Sequence, residues 1–551
     1  YNSSVYTILA ANDFFVTVVT NNHFEQLSYS NMTEALIEGY REAYNIADWQ
    51  ENYTDVLEIR SHSSILEGYN ENSQSYEDLT PARCTKIYNT DFMSKHRNLY
   101  LITNHSSNTT HNNTLLGMIK VGALYISPSN WMCPGYFDMT GTGPINTTCN
   151  PDKLASKVAK GHPWRISVLG GSDVEIIGCK SEKTPEKCKV QFSLGIMIVV
   201  ICCNLIKACS MVIAVARSRE PTLVTLGDAL DSFLRTPDQA TIGMCFAGQR
   251  FVKREWRSGL RIMPEQWKVK GVQRWRTSVS TTRWRTCNFF CLAVIVAAGW
   301  LLQSGMAKDG AYLQTDIASM QKDKRWTRGF GKINSISLVA LHFRNITEAT
   351  LLANLPQTIL SFLSLTYNSL FTCMLSAHEW SLFSHHRRTL RVTSPRPGQR
   401  STYWLQMPYT YAIPLMTLSG LLHWLASQSI FLARVEISDP AGGEISSTIS
   451  GLGYSCIATI FVLILAALAF LTATGMGYRR FAGEIATVGS CSAAISAACH
   501  AWGEDSEAII GKKVRWGDVG IVPNLGVRHL TFSSSEQVGK PVFGEVYAGA
   551  G

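Results

Sequence analysis

The stretch IATIFVLILAALAFL, residues 457–471, contains only Ile, Ala, Thr, Phe, Val and Leu. A buried helix of a soluble protein rarely stays uncharged for so long, whereas a helix that crosses about 30 Å of hydrocarbon needs about 20 mostly apolar residues. The stretch therefore predicts a membrane-spanning helix, which we place at 451–476. This segment excludes a purely soluble enzyme, a fibrous protein and a small disulfide scaffold.

Further apolar runs of similar length occur elsewhere in the chain, and we place spans at 190–216, 287–306, 351–377 and 411–433. Only 17% of all residues are charged, against about a quarter in a soluble domain. The predicted fold is therefore mainly α: a five-span transmembrane helical bundle with an N-terminal α+β glycosylated ectodomain and a small cytosolic tail.

The charge of the loops between the spans predicts the orientation. Residues 217–285 hold 14 Lys or Arg against 6 Asp or Glu, and residues 378–406 hold 5 Arg against one Glu. Basic loops stay in the cytoplasm. We therefore place the loops 217–286 and 378–410 and the tail 477–551 in the cytosol, and the ectodomain 1–189 and the loops 307–350 and 434–450 outside.

Sequons for N-linked glycosylation support this orientation, because all eight fall in segments that the charge rule places outside. They are Asn2, Asn31, Asn52, Asn104, Asn108, Asn112, Asn146 and Asn345. An outer N-terminal region needs a translocation signal, and none precedes it in this chain, which begins at Tyr1. We therefore expect an upstream span or a signal peptide in a longer precursor.

Within the ectodomain, runs of β-branched and aromatic residues predict strands at 5–9, 14–20, 99–103, 115–126 and 174–177. Apolar residues at helical spacing predict a helix within 31–50. This mixture is the reason for the α+β assignment.

Five cysteines of the ectodomain are disulfide candidates, because oxidising compartments favour disulfides. They are Cys84, Cys133, Cys149, Cys179 and Cys188. Sequence neighbours suggest Cys133 with Cys149 and Cys179 with Cys188, although spacing cannot fix connectivity. Cys84 then stays free, pairs with Cys456, or has its partner upstream of Tyr1.

The first cytosolic loop interleaves basic and aromatic residues between 250 and 285. In a loop tethered to a membrane, the nearest polyanion is the lipid surface, to which Lys, Arg and Trp are attracted. We expect anionic cytosolic lipid headgroups as partners and no nucleic acid; packing with an ordinary positive-inside bias is the alternative. The lipid-surface candidates are Arg254, Trp256, Arg257, Trp267 and Trp275.

No motif for a nucleophile elbow, a phosphate-binding loop, a dinucleotide fold or a zinc protease occurs in the sequence. His378, Glu379, His385 and His386 form the nearest approach to a metal-binding set, but His378 lies about two helical turns, or about 11 Å, from the histidine pair. We predict no catalytic residue, no cofactor and no metal, and hence no enzyme.

Polar side chains inside the spans are the remaining functional candidates, because they are costly in hydrocarbon. They are Asn204, Lys207, Asn354, Asn368, His423 and Gln428. They could line one polar path, as in a transporter or channel. The alternative, which we favour, is hydrogen bonding between helices that holds the bundle together.

Long strings of the sequence resemble a group of fungal multi-pass membrane proteins, known by an N-terminal domain of unknown function, number 6536. The strings are TLVTLGDALDSFLRTPDQAT at 222–241, LSLTYNSLFTCMLSAHEWSLFSHHRRTLRV at 363–392, RSTYWLQMPYTYAIPLMTLSGLLHWLASQSIFL at 400–432 and GSCSAAISAACH at 489–500. In that group further spans precede the ectodomain. The resemblance implies a fungal membrane protein with an uncharacterised role and carries over no catalytic residue; the defining domain is absent here or represented only by its end near 1–20.

Together, these observations predict a non-enzymatic, multi-pass protein of the plasma membrane that acts as a sensor, a receptor or a scaffold. A transporter or channel with a polar path between the spans is the alternative. The ligand or transported species and the oligomeric state do not follow from the sequence.

Overall fold

The computed structural model describes residues 5–24, 75–90, 92–105, 115–122, 129–133, 149–167, 173–185, 188–192, 194–217, 223–245, 247–248, 252, 263–268, 272–307, 330–331, 338–339, 346–403, 407–440, 445–481, 485–501, 509, 511–523 and 526–549. The helix predicted within 31–50 lies outside these residues.

The described helices are α1 (Pro81–Tyr88), α2 (Pro151–Ala159), α3 (Leu194–Arg217), α4 (Leu226–Arg235), α5 (Thr281–Ala307), α6 (Ile346–Leu382), α7 (Tyr409–Ser429), α8 (Cys456–Gly477) and α9 (Ser492–Ala497). The strands are β1 (Val5–Asn12), β2 (Phe14–Val19), β3 (Tyr76–Leu79), β4 (His96–Thr103), β5 (Leu115–Val121), β6 (Arg165–Ser167), β7 (Asp173–Lys183), β8 (Cys188–Phe192), β9 (Glu265–Gln266), β10 (Leu338–Val339), β11 (Arg391–Val392), β12 (Arg400–Ser401), β13 (Ile430–Ser438), β14 (Ile445–Tyr454), β15 (Arg515–Val522), β16 (Val527–Ser533) and β17 (Val546–Tyr547).

Four of the described helices are long and apolar enough to cross a membrane, namely α3, α5, α6 and α8. They correspond to four of the five predicted spans. The fourth predicted span, 411–433, falls on α7, which has 21 residues but is not among the four. A count of five spans is therefore not established by length and composition alone.

Three predicted span boundaries are wrong. The first predicted span, 190–216, begins within β8, which ends at Phe192, and α3 starts at Leu194. Helix α7 ends at Ser429 and strand β13 starts at Ile430, so residues 430–433 are strand. Residues 451–454 likewise belong to β14, and α8 starts at Cys456. Where an apolar run continues from a membrane-spanning helix into a buried strand, the hydrophobic periodicity does not show where the helix ends and the strand begins. The sequence therefore did not reveal these boundaries. The predicted loop 434–450 is largely a β-hairpin.

The chain folds as two compact units. The first comprises Tyr1–Cys202, Leu302–Pro356 and Ala426–Thr459, and the second comprises Cys203–Leu301, Gln357–Leu425 and Ile460–Gly551. The chain crosses from one unit to the other at five points, and each point lies inside a helix. The five helices are α3, α5, α6, α7 and α8. The chain therefore passes between the units five times, always through a long helix.

A six-stranded sheet carries the main core of the first unit. Its strand order is β3-β7-β4-β2-β5, and β6 pairs with β7. Strand β2 is buried along its whole length and apolar except for Thr17, as expected for a strand covered on both faces. Helices α1 and α2 each begin with Pro after a capping Thr80 or Asn150 and supply residues to this core. The predicted α+β character of the ectodomain agrees with this arrangement.

A five-stranded sheet of the first unit collects strands from three separate parts of the chain. Its order is β10-β14-β13-β1-β8. Strands β1 and β8 precede α3, β10 lies between α5 and α6, and β13 and β14 lie between α7 and α8. Strand β1 pairs with β13 in parallel and with β8 antiparallel.

A four-stranded sheet, in the order β15-β16-β17-β9, lies in the second unit. Three of its strands come from the tail, and β9 comes from the basic loop between α3 and α5. Its core includes Trp516, Phe532 and Tyr547, packed with residues of α4 and α9. The tail thus forms a folded body together with the loop that was predicted to be cytosolic.

Candidate functional site

Polar contacts between α6 and α7 form one seam inside the second unit. The ring nitrogen Nδ1 of His423 donates to Oε1 of Gln357 at 2.5 Å, and Nε2 of Gln357 donates to the His423 carbonyl oxygen at 2.8 Å. Further along the same two helices, the hydroxyls of Ser364 and Ser419 lie 3.0 Å apart. We call these four residues the α6–α7 seam. Each of them has a partner across the seam, so the seam joins the two helices.

Asn288 of α5 joins its helix to two others. Its side-chain oxygen accepts hydrogen bonds from the hydroxyls of Tyr367 on α6, at 3.3 Å, and Thr474 on α8, at 3.1 Å. Its amide nitrogen donates to the carbonyl oxygen of Trp284 at 2.7 Å. One asparagine of α5 therefore ties α5, α6 and α8 together. The sequence singled out neither Asn288 nor Gln357, although both are polar residues in long apolar helices.

Of the six intramembrane candidates, His423 takes part in the seam. Asn204 and Lys207 lie on α3, a helix with no buried residue, so they share no buried path with His423. Asn354 donates to the Thr350 carbonyl oxygen within α6, at 2.7 Å.

The remaining two candidates lie on α6 and α7. Asn368 is exposed on α6. Gln428 packs against Gly331, whose positive φ of 64° and contact with the glutamine side chain leave no room for a Cβ. Of the six candidates, His423 is the one that the described hydrogen bonds place in the α6–α7 seam.

Two of the lipid-surface candidates are buried, which corrects the prediction. Trp267 is 6% exposed and packs on Trp516 in the core of the four-stranded sheet, with ring centroids 6.0 Å apart. Trp275 is 1% exposed, and the guanidinium of Arg479 lies 5.0 Å from its ring centroid. Their apolar rings lie in two separate clusters of buried residues and expose little surface. Arg254, Trp256 and Arg257 lie outside the described residues.

Exposed arginines nevertheless surround the ends of two long helices. They are Arg276, Arg283 and Arg285 at the start of α5, and Arg479 and Arg480 after the end of α8. The guanidinium of Arg276 stacks on Tyr478 at 5.0 Å. We call these five residues the arginine cluster. A basic, exposed surface at the end of an apolar helix is suited to anionic headgroups.

The C-terminal end of α6 is embedded in the core of the second unit. Trp380 is 2% exposed, and its indole nitrogen donates to the Ala486 carbonyl oxygen at 3.0 Å. Phe383, just after the helix, accepts a backbone hydrogen bond from Trp516 of β15, also at 3.0 Å. Any movement of α6 along its axis must therefore displace this core.

The structure places His378 near the end of α6 and His385 and His386 just after it. His378 lies against the ring of Trp275, with centroids 4.9 Å apart, while His385 and His386 are exposed. Glu379 forms a two-point ion pair with Arg391, at 2.7 and 3.1 Å. Among the residues that the structure describes, no group of three or more His, Cys, Asp or Glu side chains is placed to hold a metal ion.

The second half of the small-residue string GSCSAAISAACH, residues 494–500, is buried in the second unit, whereas Gly489, Ser490 and Ser492 are exposed. Helix α9 (Ser492–Ala497) lies within the string, and Ala497 is fully buried. Small side chains let this helix approach β16 closely, and the Ala498 carbonyl oxygen accepts from the Phe532 amide at 3.1 Å. The string therefore has a packing role.

A buried polar cluster completes this core. The Thr241 hydroxyl lies 2.8 Å from the Ser496 hydroxyl and 2.9 Å from Nε2 of His500. His529 of β16 is fully buried; burial, followed by the charge of nearby His500, lowers the pKa of His529 to about 4. Burial also lowers the pKa of His500. Both histidines are therefore neutral at pH 7.

The five cysteines that were predicted to be disulfide candidates all lie in the first unit. Cys133 and Cys149 form a disulfide, with Cα atoms 5.9 Å apart. Cys179 is in β7 of the six-stranded sheet, whereas Cys188 is in β8 of the five-stranded sheet, and the Cys188 side chain lies outside the description. Cys84 lies with its thiol hydrogen-bonded to that of Cys179. Cys84 is thus a free thiol, as one of the alternatives from the sequence had it, and its neighbour is Cys179.

One of the predicted glycosylation sites can be located. Asn104 is exposed at the end of β4, and its backbone amide donates to Glu175 at 3.0 Å. The other seven sequons, at Asn2, Asn31, Asn52, Asn108, Asn112, Asn146 and Asn345, lie outside the described residues. Glycosylation therefore stays a prediction.

Three strands of the five-stranded sheet continue almost directly into long helices. One residue separates β8 from α3 and one separates β14 from α8, while α7 runs into β13 with none between. The Ser455 amide donates to the Ser429 carbonyl oxygen at 2.9 Å, which ties the last two junctions together. The Phe431 ring covers Gly453 on the opposite strand so closely that a Cβ there would lie 2.2 Å from it. We call these three connections the strand–helix junctions.

Comparison with known proteins identifies a family. A family model described as a domain of unknown function (DUF8419) matches residues 257–548, more than half of the chain. The chain belongs to the DUF8419 family. The DUF8419 region contains α5 to α8, β10, the β13–β14 hairpin and the four-stranded sheet, whereas α3 and strands β1 to β8 precede it. No curated protein and no solved structure matches the chain.

The DUF8419 match bears on the resemblance noted above. It supports a chain that contains a domain of unknown function, but this domain has a different number and lies toward the C-terminus. Fungal origin and a relation to the N-terminal domain 6536 stay predictions.

The α6–α7 seam yields a test of whether its polar groups act as a pair. We expect His423→Leu to lower the thermal stability of the detergent-purified protein by about 1 kcal/mol, because Gln357 loses its partner in an apolar setting. Adding Gln357→Leu should recover part of that loss, since both polar groups are then gone. Asn368→Leu, on the exposed side of α6, is the matched control. Strictly additive losses in the double variant would contradict the pairing.

Burial of His529 predicts a pH dependence of stability. The unfolded histidine binds a proton near pH 6.5 and the folded one near pH 4, so the unfolded state holds more protons between these values. Stability is therefore full above pH 6.5 and falls as the pH drops toward 4, by about 1.4 kcal/mol per pH unit for this group. Thermal unfolding followed by tryptophan fluorescence measures the slope. His529→Gln should flatten it, whereas His386→Gln, at an exposed histidine, should not; equal slopes in wild type and His529→Gln would refute the assignment.

Proposed function

We propose that the chain is a non-enzymatic, multi-pass sensor, receptor or scaffold of the plasma membrane that transmits a change in its outer region to its cytosolic region. In this proposal the first unit faces outward, the second unit meets the cytosol, and α3, α5, α6, α7 and α8 all cross the bilayer. The observation that carries the proposal is the set of strand–helix junctions, because they leave no flexible linker between the outer sheet and three spans.

The five-stranded sheet supports five crossings, although α7 is not among the four helices that are long and apolar enough by length and composition. Strand β10 precedes α6, and β13 follows α7, yet both strands belong to one sheet. If α6 crosses the bilayer, the chain can return to that sheet only when α7 crosses as well. The seam with α6 provides partners for the polar groups of α7, which lowers the cost of placing them in hydrocarbon.

Transmission requires a stiff path, and the contacts inside the second unit supply one. Helix α7 is joined to α6 by the seam, and α8 is joined to α6 through Asn288. Helix α6 then ends in the core that holds Trp380 and Trp516. A displacement of β13 or β14 is therefore passed along helices and polar contacts toward the four-stranded sheet.

The arginine cluster supports two further parts of the proposal. It lies at the helix ends that would face the cytosol, where basic residues are enriched. Its exposed guanidinium groups are also suited to bind anionic lipid headgroups, each contributing about 1 kcal/mol near such a surface. Lipid partnership thus rests on these arginines and no longer on Trp267 and Trp275. The other sequence-based alternative, a transport path past Lys207, stays a prediction; α3, which carries Lys207, has no buried residue in the structure.

Two single substitutions on either side of α7 test the five crossings. Glu444→Asn creates a sequon in the β13–β14 loop, and Gln399→Asn creates one in the loop between α6 and α7. We expect only the first to add one N-glycan in cells with a secretory pathway, detected as a mobility shift that glycosidase removes. Glycans on both variants, or on Gln399→Asn alone, would overturn the proposed topology.

A second experiment tests transmission itself. Hydrogen exchange of β15 and β16 is measured in the full chain in sealed proteoliposomes, with and without several nanobodies that bind the five-stranded sheet. We expect binding outside to change exchange in these strands. Inserting Gly-Ser-Gly-Ser at both the α7–β13 and β14–α8 junctions should abolish the change, because it relaxes the stiff connection.

The matched control for this experiment carries the same insertion in the loop between β13 and β14, which leaves all strand–helix junctions intact. It should transmit like wild type. If no nanobody changes exchange in the wild-type strands, or if the junction variant still responds fully, the chain does not transmit through these junctions.

A further inference from the structure

Two buried cysteines in the first unit lie together without being bonded. Cys84 is 0% exposed and Cys179 is 1% exposed, and both belong to the core of the six-stranded sheet. Their thiols are hydrogen-bonded to one another. A buried cysteine in a core is ordinarily a small apolar residue, but two sulfurs in contact have a further chemistry open to them.

The local fold explains why the two sulfurs meet. Leu79, the last residue of β3, lies directly opposite Cys179 of β7. The next residue, Thr80, caps α1, and the Cys84 amide donates to the Thr80 carbonyl oxygen at 2.8 Å. Side chains of a helix lean toward its N-terminus. A cysteine one turn into α1 is therefore directed back onto β7, where Cys179 lies.

We propose that Cys84 and Cys179 form a second disulfide of the outer unit, in addition to the one between Cys133 and Cys149. This proposal rests on the proposed function in one respect, since the first unit must fold in an oxidising compartment. It assigns both sulfurs to one bond and leaves Cys188 outside it.

The oxidation balances with a disulfide donor of the folding compartment. Two S–H bonds break and one S–S bond forms between Cys84 and Cys179, which releases two protons and two electrons. The electrons reduce the disulfide of a thiol oxidoreductase to two thiols, by way of a mixed disulfide between that protein and one of the two cysteines.

Burial determines when this step takes place. Burial, and then the neighbouring Cys84 thiol, raise the pKa of Cys179 well above its usual range. The attacking species in exchange is the thiolate, so a folded, reduced pair would be nearly inert. The bond is therefore formed while the chain folds and afterwards is shielded from reductants. It would join β7 to α1 across 94 intervening residues and so restrict the unfolded chain strongly.

Peptide mapping of the full-length chain tests the proposal. Membranes from cells with a secretory pathway are denatured, free thiols are blocked with N-ethylmaleimide, and the protein is digested without reductant for mass spectrometry. We expect one cross-linked peptide pair that carries Cys84 and Cys179, together with the pair that carries Cys133 and Cys149. Cys245 and Cys499, which are as deeply buried in the second unit, are matched controls and should be fully blocked as thiols.

Two variants make the assignment specific. Cys84→Ala should abolish the cross-link and leave Cys179 blocked as a thiol, whereas Cys188→Ala should leave the cross-link unchanged. Blocked Cys84 and Cys179 beside an intact Cys133–Cys149 bond would overturn this inference alone, as would a bond between Cys179 and Cys188. If Cys133 and Cys149 were also blocked, the outward placement of the first unit would fail with it.

Discussion

The pairing of strands from three separate parts of the chain in one five-stranded sheet constrains the rest of this structure. Strands hydrogen-bond only when they lie side by side, and the five-stranded sheet takes its strands from before α3, from between α5 and α6, and from between α7 and α8. Each long helix must then leave this sheet or return to it. The same alternation gathers the intervening segments into the second unit, whose four-stranded sheet likewise combines a loop strand with tail strands. The two units and the five helical passages are consequences of two sets of β-pairings.

The helices are held to each other by few polar contacts, and this is consistent with an apolar surrounding. Between apolar helices in lipid there is little hydrophobic driving force, so packing and hydrogen bonds decide which helices associate. The α6–α7 seam and Asn288 are such contacts, and each involves a side chain with a matched partner. Helix α3 has no buried residue and follows β8 directly, so within the described residues its position is tied to the strand before it.

The aromatic residues of the basic loop illustrate a limit of sequence patterns. Trp267 and Trp275 lie among Lys and Arg, a composition that is equally typical of a lipid interface and of a basic loop with its own core. Burial of Trp267 depends on β9 pairing with β17, at least 280 residues later in the chain. No local pattern contains that information. The arginines, in contrast, stay exposed, because a guanidinium without a buried partner is costly to desolvate.

Hydropathy alone determined where four long apolar helices lie, because the thickness of a bilayer sets their length whatever they pack against. Loop charge and sequons gave a consistent expectation of orientation on equally local grounds. Only the tertiary structure decided that the run after α7 turns into strand, that His423 meets Gln357 and not Lys207, and that Cys84 meets Cys179. Those outcomes depend on contacts between residues far apart in sequence, whose geometry is fixed by sheet register and helix packing and not by the identity of near neighbours.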